Sequence, residues 1–233
     1  MQPTPELLAA LAVNPWFAGL PAPERAALLA ASEQISLAKG AMLFRQGDAV
    51  PGPGGGFFGL LQGEIKISTL RPDGKEAILV VLEPGNWFGE IVVPGETHRI
   101  HDATAMGPAR ILVVQQEAFM ALMQRLAFAQ AMAALLVGRV RALYGLLEDA
   151  TLRSLRARVA RRLLFLARGD ATQAPISRRE LALSQEALAM MLGVSRQTLS
   201  RELKALVAQG AISLGYGRIA IASLARLQAL AAG

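Results

Sequence analysis

Guanidinium, amide and hydroxyl side chains are concentrated in one short segment near the C-terminal end of the sequence. The residues are Ser195, Arg196, Gln197, Thr198, Ser200 and Arg201. A guanidinium can fork onto the O6 and N7 atoms of guanine, and an amide both donates and accepts hydrogen bonds at a base edge. Hydroxyls suit phosphate oxygens, which position a protein on nucleic acid without reading sequence. This combination predicts contact with DNA.

The residues around this segment predict two helices joined by a sharp turn. Ser184 can cap a first helix, and Gly193 ends it because glycine adopts a left-handed conformation at no steric cost. Ser195 can cap a second helix whose apolar stripe faces inward. That stripe consists of Leu199, Leu203, Leu206 and Val207. The pattern is typical of a helix-turn-helix, in which the first turn of the second helix enters the major groove. An ordinary helical hairpin is the alternative, but packing alone does not explain the polar outer turn.

Composition restricts the possible classes of protein. The chain has 233 residues, a formal net charge of +6 and no cysteine. Cysteine-ligated zinc, iron–sulfur clusters, disulfides and thiol catalysis are therefore excluded. We find no secretion signal and no uninterrupted apolar run long enough to span a membrane, which predicts a cytoplasmic protein. No paired carboxylates or nucleophile elbow indicate an enzyme.

Positive charge is concentrated in the half of the chain that contains the helix-turn-helix. Residues 151–233 contain 13 Lys and Arg against 4 Asp and Glu, whereas residues 1–150 contain 11 against 14. A surface that binds a polyanion requires such an excess, although a basic surface can also be merely solvated.

The first half of the sequence predicts helices followed by an antiparallel barrel or sandwich. Residues 4–31 have helical spacing, with Pro23 opening a second helix. Short apolar runs then alternate with glycine-containing turns, a pattern typical of all-β domains. The runs are 41–44, 57–61, 64–67, 77–82 and 111–114. Gly54, Gly56 and Gly59 match a dinucleotide-binding fingerprint, but two prolines precede them and a strand follows, so a flexible loop over 50–59 is predicted instead.

The longest helical pattern extends from Glu117 to about Glu148. Its apolar rows, one of them through Leu126, Ala133, Val140 and Leu147, are wider than a helix lying on one barrel can bury. We expect part of this surface to contact a second copy of the chain. A buried helix within one chain is the alternative. A hinge at 148–151, a basic helix from Leu155 to Ala167 and a hairpin at 211–221 complete the pattern.

This order of parts resembles the cyclic-AMP receptor protein and fumarate-nitrate regulator (Crp/Fnr) superfamily of bacterial transcription factors. The similarity covers about Trp16 to Ile221 and includes the element Phe88-Gly89-Glu90 and the segment from Ser195 to Arg201. It implies an α+β fold with three parts. They are a cyclic-nucleotide-binding-like β jelly roll at 1–116, a dimerisation helix at 117–150 and a winged helix-turn-helix at 151–233.

The resemblance also implies a ligand site. In family members that bind nucleotides, Phe-Gly-Glu opens a short phosphate-binding helix, and an arginine about ten residues later completes the site. Gly89, Glu90 and Arg99 match these positions. The following residue is Ile100 instead of a Ser or Thr donor, and the positions expected to meet adenine hold Leu143 and Tyr144. A buried phosphate that lacks a donor is penalised, so cyclic AMP is disfavoured as the effector.

The two histidines, His98 and His101, are predicted to be solvated or hydrogen-bonded. Three residues apart on an extended segment, they would point to opposite faces, which disfavours a metal or haem site. We therefore expect a homodimeric DNA-binding regulator of transcription that binds a palindromic site, with an unknown effector and RNA polymerase as a possible partner. A cyclic-nucleotide-gated regulator and a ligand-independent DNA-binding protein remain alternatives.

Overall fold

Short apolar runs pair into two antiparallel sheets in the computed structural model of the chain. The structure describes residues 5–50, 56–71, 73–74, 76–90, 98–168 and 179–233. The strands are β1 Ser32–Leu37, β2 Met42–Phe44, β3 Phe57–Gln62, β4 Ile65–Leu70, β5 Glu76–Leu82, β6 Trp87–Phe88, β7 Asp102–Ala105 and β8 Ala109–Val114. One four-stranded sheet has the order β1-β8-β3-β6, and the other has the order β2-β7-β4-β5. The predicted double-sheet fold is confirmed.

Strands β1, β6 and β7 lie outside the predicted apolar runs. Strand β1, of sequence SEQISL, is mostly polar, and β6 contains only two residues. They become strands through long-range pairing: β1 is antiparallel to β8 from Ser32 opposite Val114 to Leu37 opposite Ala109. Local pattern alone does not reveal such strands.

Strand β3 separates two apolar clusters because successive side chains point to opposite faces. Phe58 packs between the two sheets with Phe44, Phe88 and Ile111. Phe57 packs on the other face, where the cluster also contains Trp87 and residues of the surrounding helices.

Three N-terminal helices cover that second cluster, where the sequence predicted two. They are α1 Pro5–Ala12, α2 Pro15–Gly19 and α3 Ala22–Ala30. Asn14 caps α2 by accepting a hydrogen bond from the backbone N–H of Trp16 at 2.9 Å. The Trp16 indole donates from Nε1 to the carbonyl of Ala131 at 2.8 Å.

The predicted long helix is two helices, α4 Gln116–Met123 and α5 Leu126–Leu152. The N–H of Gln124 donates to the carbonyls of Ala121 and Leu122, which tightens the last turn of α4 and ends it. The break places Phe119 on α4 and Phe128 on α5 in the same cluster, each at most 1% exposed. A straight helix does not present positions nine apart to one compact core.

The chain divides into two compact units, Met1–Gly138 and Arg139–Gly233, with the boundary inside α5. The boundaries expected from the sequence, at 116/117 and 150/151, stay a prediction. The second unit contains the end of α5 and seven further elements. These are α6 Leu155–Arg168, β9 Glu180–Leu181, α7 Gln185–Leu192, α8 Arg196–Ala208, β10 Ile212–Gly215, β11 Arg218–Ile221 and α9 Leu224–Ala232.

Strands β10, β11 and β9 form a three-stranded antiparallel sheet. The hairpin after α8 was predicted, and its residues 216–217 make the turn. Strand β9 and helix α9 were not predicted. The buried side chains of the unit include Val159, Leu163, Leu188, Leu199, Leu203, Leu206 and Leu227, each fully buried.

Helix α5 has a largely exposed apolar surface. Leu136, Val137, Val140, Leu143, Tyr144 and Leu147 are each 43% to 68% exposed. The helix is long and apolar enough to cross a membrane by length and composition alone, although no uninterrupted apolar run was found in the sequence. Charged residues such as Arg139 and Asp149 interrupt its apolar stretches.

Candidate functional site

Local hydrogen bonds form the predicted helix-turn-helix. Ser184 Oγ accepts from the N–H of Ala187 at 3.0 Å and caps α7. Gly193 ends α7 with a φ of +65°, and its N–H donates to the carbonyl of Ala189. Ser195 Oγ accepts from the N–H of Thr198 at 3.1 Å and caps α8. These contacts are the caps and the turn that the sequence predicted.

Apolar packing holds α8 against α7. Leu199, Leu203 and Leu206 are fully buried, and the small residue Ala189 is 4% exposed where the helices approach. The predicted stripe is wrong in one respect, because Val207 is 39% exposed. Val207 is one position beyond Leu206, and a step of about 100° per residue turns it away from the core.

The outer face of α8 presents the predicted polar residues to solvent. Ser195, Arg196, Gln197 and Arg201 are exposed, and Thr198 and Ser200 are partly exposed. Among the residues that the structure describes, none hydrogen-bonds or ion-pairs with the side chains of Arg196, Gln197 or Arg201. Their donors are therefore available to an external partner.

The hydroxyls of this face are differently engaged. The Oγ of Ser195 and the Oγ1 of Thr198 lie 2.8 Å apart, so each satisfies part of the other's hydrogen-bonding capacity. Both were predicted to contact phosphates. Each hydroxyl oxygen has two lone pairs and one proton, so one of the pair still has a free donor.

Much of the predicted basic excess is used inside the second unit. Arg156 Nε donates to Oε2 of Glu202 at 2.9 Å, which joins α6 to α8. Arg158 Nη2 donates to the carbonyl of Leu192 at 3.2 Å, at the C-terminal end of α7. These arginines support the helix-turn-helix, whereas those on the outer face of α8 do not have internal partners among the described residues.

In the first unit, Gly89 and Arg99 lie together. Arg99 is 3% exposed. Its Nη1 donates to the carbonyl of Gly89 and its Nη2 to the carbonyl of Gly56, both at 3.1 Å. The guanidinium carbon lies 4.2 Å from the centre of the Phe44 ring, a cation–π geometry. Burial lowers the pKa of Arg99 to about 10, and the charge of Asp48 opposes this effect.

These residues fit a phosphate only in part. Glu90 is 4% exposed, and the residues that would continue the predicted phosphate-binding helix lie outside the described residues. Ile100 is 44% exposed and has no side-chain donor. The arginine is present, but it is held by backbone carbonyls and an aromatic ring.

The predicted features that remain are the two histidines and the glycines of the dinucleotide-binding fingerprint. His98 pairs with Ala49 in an isolated bridge and is exposed, whereas His101 is partly buried. In the described part of the chain, no three His, Asp or Glu side chains are grouped so as to hold a metal ion. Of the fingerprint glycines, Gly59 lies within strand β3, so the predicted loop over 50–59 is wrong at its C-terminal end. Gly54 lies in 51–55, the half of the predicted loop that is outside the described residues.

Comparison with known proteins agrees with both the sheet fold of the first unit and the helix-turn-helix of the second. Residues 34–126 match the cyclic nucleotide-binding domain family, and residues 157–230 match the Crp-like helix-turn-helix domain family. The chain is 32% identical over 222 residues to the cyclic AMP receptor protein of Thermus thermophilus, which covers 94% of this chain and 98% of that protein. The chain belongs to the Crp/Fnr superfamily of transcription regulators.

Two further Crp/Fnr relatives extend the comparison. The chain is 27% identical over 213 residues to the CRP-like cAMP-activated global transcriptional regulator of Mycobacterium tuberculosis, covering 91% of this chain and 93% of that protein. The crystal structure of a CRP-family transcriptional regulator from Thermus thermophilus superposes with a TM-score of 0.68 at 26% identity, covering 85% of this chain and 97% of that one. Like its Crp/Fnr relatives, the chain is a DNA-binding regulator of transcription.

Sequence reasoning missed one group of residues in this Crp/Fnr protein, at the ends of α9. Arg153 near the end of α5 and Arg226 on α9 hydrogen-bond to helix C-termini. Ser223 followed by Leu224, Leu227 and Ala231 has the spacing of a capped helix and would have predicted α9. The arginine contacts themselves have no local signal.

Proposed function

We propose that this regulator acts as a homodimer and binds a two-fold symmetric DNA site, with α8 of each copy in the major groove. The observation that carries the proposal is the outer face of α8. Arg196, Gln197 and Arg201 are exposed there without internal partners among the described residues, while the opposite side of the helix is buried. The proposed role involves no catalysis.

The spacing of these residues supports distinct roles at the base edges. Arg196 and Arg201 are five positions apart, so they are displaced along the groove, and either can fork onto a guanine. Gln197 lies one turn before Arg201, and its amide suits adenine. Ser195, Thr198 and Ser200 are proposed to contact phosphates, which fix the position of the helix.

Selection of preferred sites from random DNA tests this proposal. Replacing Gln197 with Glu leaves a side chain that only accepts when ionised, so the preferred base should change from adenine toward cytosine. The matched control Ser200→Ala should weaken binding to all sequences alike. Identical preferred sites for the wild type and Gln197→Glu would show that Gln197 reads no base.

The exposed apolar surface of α5 supports the dimer. Leu136, Val140, Leu143 and Leu147 recur at helical spacing and lie on one face of the helix. An exposed apolar surface of this length marks an interaction site. A second copy of the same helix is the occupant that a two-fold symmetric regulator requires.

We place the protein in the cytoplasm and propose contact with RNA polymerase, as its role in transcription implies.

We further propose that an effector, if one acts, binds beside Gly89, Glu90 and Arg99. One relative is named a cyclic AMP receptor protein and another a cAMP-activated regulator, which makes cyclic AMP the first candidate ligand to test. A phosphate would have to compete with the carbonyls of Gly56 and Gly89 for the Arg99 guanidinium. The absence of a donor at Ile100 supports another ligand or a ligand-independent regulator.

Calorimetry separates these alternatives. The wild type is titrated with cyclic AMP and with a panel of other nucleotides, in the presence and absence of target DNA. An effector must bind the DNA-bound and free states with different affinity. A ligand whose affinity and effect on DNA binding are unchanged in Arg99→Ala would contradict this location for the site.

A further inference from the structure

The two ends of α9 contact two functionally different parts of the second unit. Helix α9 packs along α6, and on α9 Leu227 is fully buried and Ala231 is 5% exposed. Ser223 caps its start by accepting from the N–H of Arg226 at 3.3 Å. The packing against α6 and the cap at Ser223 therefore hold α9 in place within the second unit.

The C-terminal end of α9 is tied to the junction of α5 and α6. Arg153 Nη1 donates to the carbonyls of Ala231 at 3.1 Å and Ala232 at 3.0 Å. The same guanidinium donates from Nε to Oδ1 of Asp149 at 2.8 Å, and Arg161 on α6 donates to Oδ2 at 2.6 Å. Asp149 is only 7% exposed, so the pairs are partly shielded from water and the junction is held by charge-assisted bonds.

The N-terminal end of α9 is tied to the end of α8. Arg226 Nη1 donates to the carbonyl of Gln209 at 3.1 Å, directly after the last turn of α8. Gly210 has a φ of +64°, and a Cβ at this position would clash with the Arg226 guanidinium. The N–H groups of Ala222 and Ser223 donate to the carbonyl of the fully buried Ala211 at 3.0 Å and 3.1 Å.

We propose that α9 is a brace that holds the recognition helix α8 at a fixed angle to the end of α5, with Arg153 and Arg226 as positioning residues for DNA binding. The inference rests on the proposed function, because this angle matters when two recognition helices must reach two half-sites at once. Arg153 and Arg226 contact no base in this proposal. They act by fixing where α8 lies within its own unit.

Changing the spacing of the half-sites tests the angle of α8, because a loss of charge or stability would weaken binding to both spacings alike. Affinity is measured for palindromes with the preferred spacing and with one base pair inserted, which shifts and rotates one half-site. The measured quantity is the affinity for the preferred spacing divided by the affinity for the spacing with the inserted base pair. We expect this ratio to fall by up to about tenfold in Arg226→Ala and in Arg153→Ala, which is the effect of one charge-assisted hydrogen bond. Any general loss of electrostatic attraction cancels in the ratio.

Two variants serve as controls. Arg226→Lys keeps a charged hydrogen-bond donor at this position, so we expect the wild-type ratio to be largely retained. Gln228→Ala alters an exposed residue on the same helix that makes no side-chain hydrogen bond to any described residue, and it should also retain the ratio. Circular dichroism and thermal unfolding verify that each variant is folded.

The outcomes separate this inference from the proposed function. If folded Arg153→Ala and Arg226→Ala both keep the wild-type spacing ratio, α9 is not a brace, and the DNA-binding proposal is unaffected. If the wild type binds every spacing equally, the proposal of a dimer with two coupled recognition helices is wrong, and the brace is overturned with it.

Discussion

At the scale of single residues, the candidate effector site is crowded by its own chain. Gly89 has a φ of +99°, and a Cβ at this position would lie 2.7 Å from the Phe58 ring and 2.8 Å from the carbonyl oxygen of Gly56. Glycine is required there for both its conformation and its size. The Arg99 guanidinium occupies the adjacent space.

Replacing Gly89 with Ala should therefore destabilise the first unit. A strained φ of this kind costs about 1–3 kcal/mol, and the contact with the Phe58 ring adds to it. Urea unfolding followed by tryptophan fluorescence measures the change, because Trp16 and Trp87 both lie in this unit. Gly107→Ala is the matched control, since its Cβ would meet nothing within 4 Å. Equal stability of the two variants would show that position 89 does not require glycine.

His101 gives a prediction for the dependence of stability on pH. Burial lowers the pKa of His101 below its ordinary value of 6.5, and the charge of Asp102 opposes this effect. The unfolded chain therefore binds the proton more strongly than the folded one. The contribution to stability is present above pH 6.5 and is lost as the pH falls from there through the folded pKa.

The free energy of unfolding, measured by urea titration from pH 7.5 to pH 5, should fall more in the wild type than in His101→Gln. The glutamine has no proton to bind in this range, so it removes the His101 contribution. A parallel pH profile for the two proteins would show that His101 does not contribute to acid sensitivity.

At the scale of elements, α5 changes character along its length. Phe128 and Met132 are at most 2% exposed in the core of the first unit. Farther along, Val140 and Leu143 are 48% and 63% exposed. A helix of a globular protein normally buries its apolar stripe, so the second part of α5 is the surface we expect a second copy to cover.

Val140→Glu should disrupt the dimer, because it would bury an unpaired charge at the interface, at a cost of about 3–5 kcal/mol. Sedimentation velocity should show a shift from dimer to monomer at micromolar concentration. Ala142→Glu is the control, since two positions along a helix turn the side chain to the opposite face. A monomeric wild type would contradict the dimer itself.

At the scale of the whole molecule, the second unit contains more basic residues than are available to bind DNA. Of the basic residues in the second unit, Arg153, Arg156, Arg158, Arg161 and Arg226 are bound to carboxylates or helix carbonyls. Lys204 is exposed beyond Ser200 on the outer face of α8, without an internal partner among the described residues. Only residues of this second kind should release counterions from DNA.

The salt dependence of DNA binding measures this difference. Lys204→Ala should reduce the slope of log K against log salt by about 1, because the variant neutralises one phosphate fewer. Arg156→Ala should change the slope less, because the charge of Arg156 is already paired with Glu202. Equal changes in slope for both variants would show that internal pairing does not withdraw Arg156 from the DNA.

The sequence by itself determined the features that depend on neighbouring residues. The caps at Ser184 and Ser195 and the left-handed turn at Gly193 are formed by contacts within a few positions, so residue type and spacing were enough to predict them. The same holds for the hairpin after α8. The outer face of α8 followed from helical periodicity alone.

Only the tertiary structure decided the contacts between residues that are distant in sequence. Arg99 is held by the carbonyl of Gly56, 43 positions away, and Arg153 by the carbonyl of Ala231, 78 positions away. A backbone carbonyl is present at every residue, so no residue type indicates which one an arginine will meet. The break between α4 and α5 likewise results from burying Phe119 and Phe128 in one core. Such contacts are chosen by the packing of the whole unit, which local pattern does not contain.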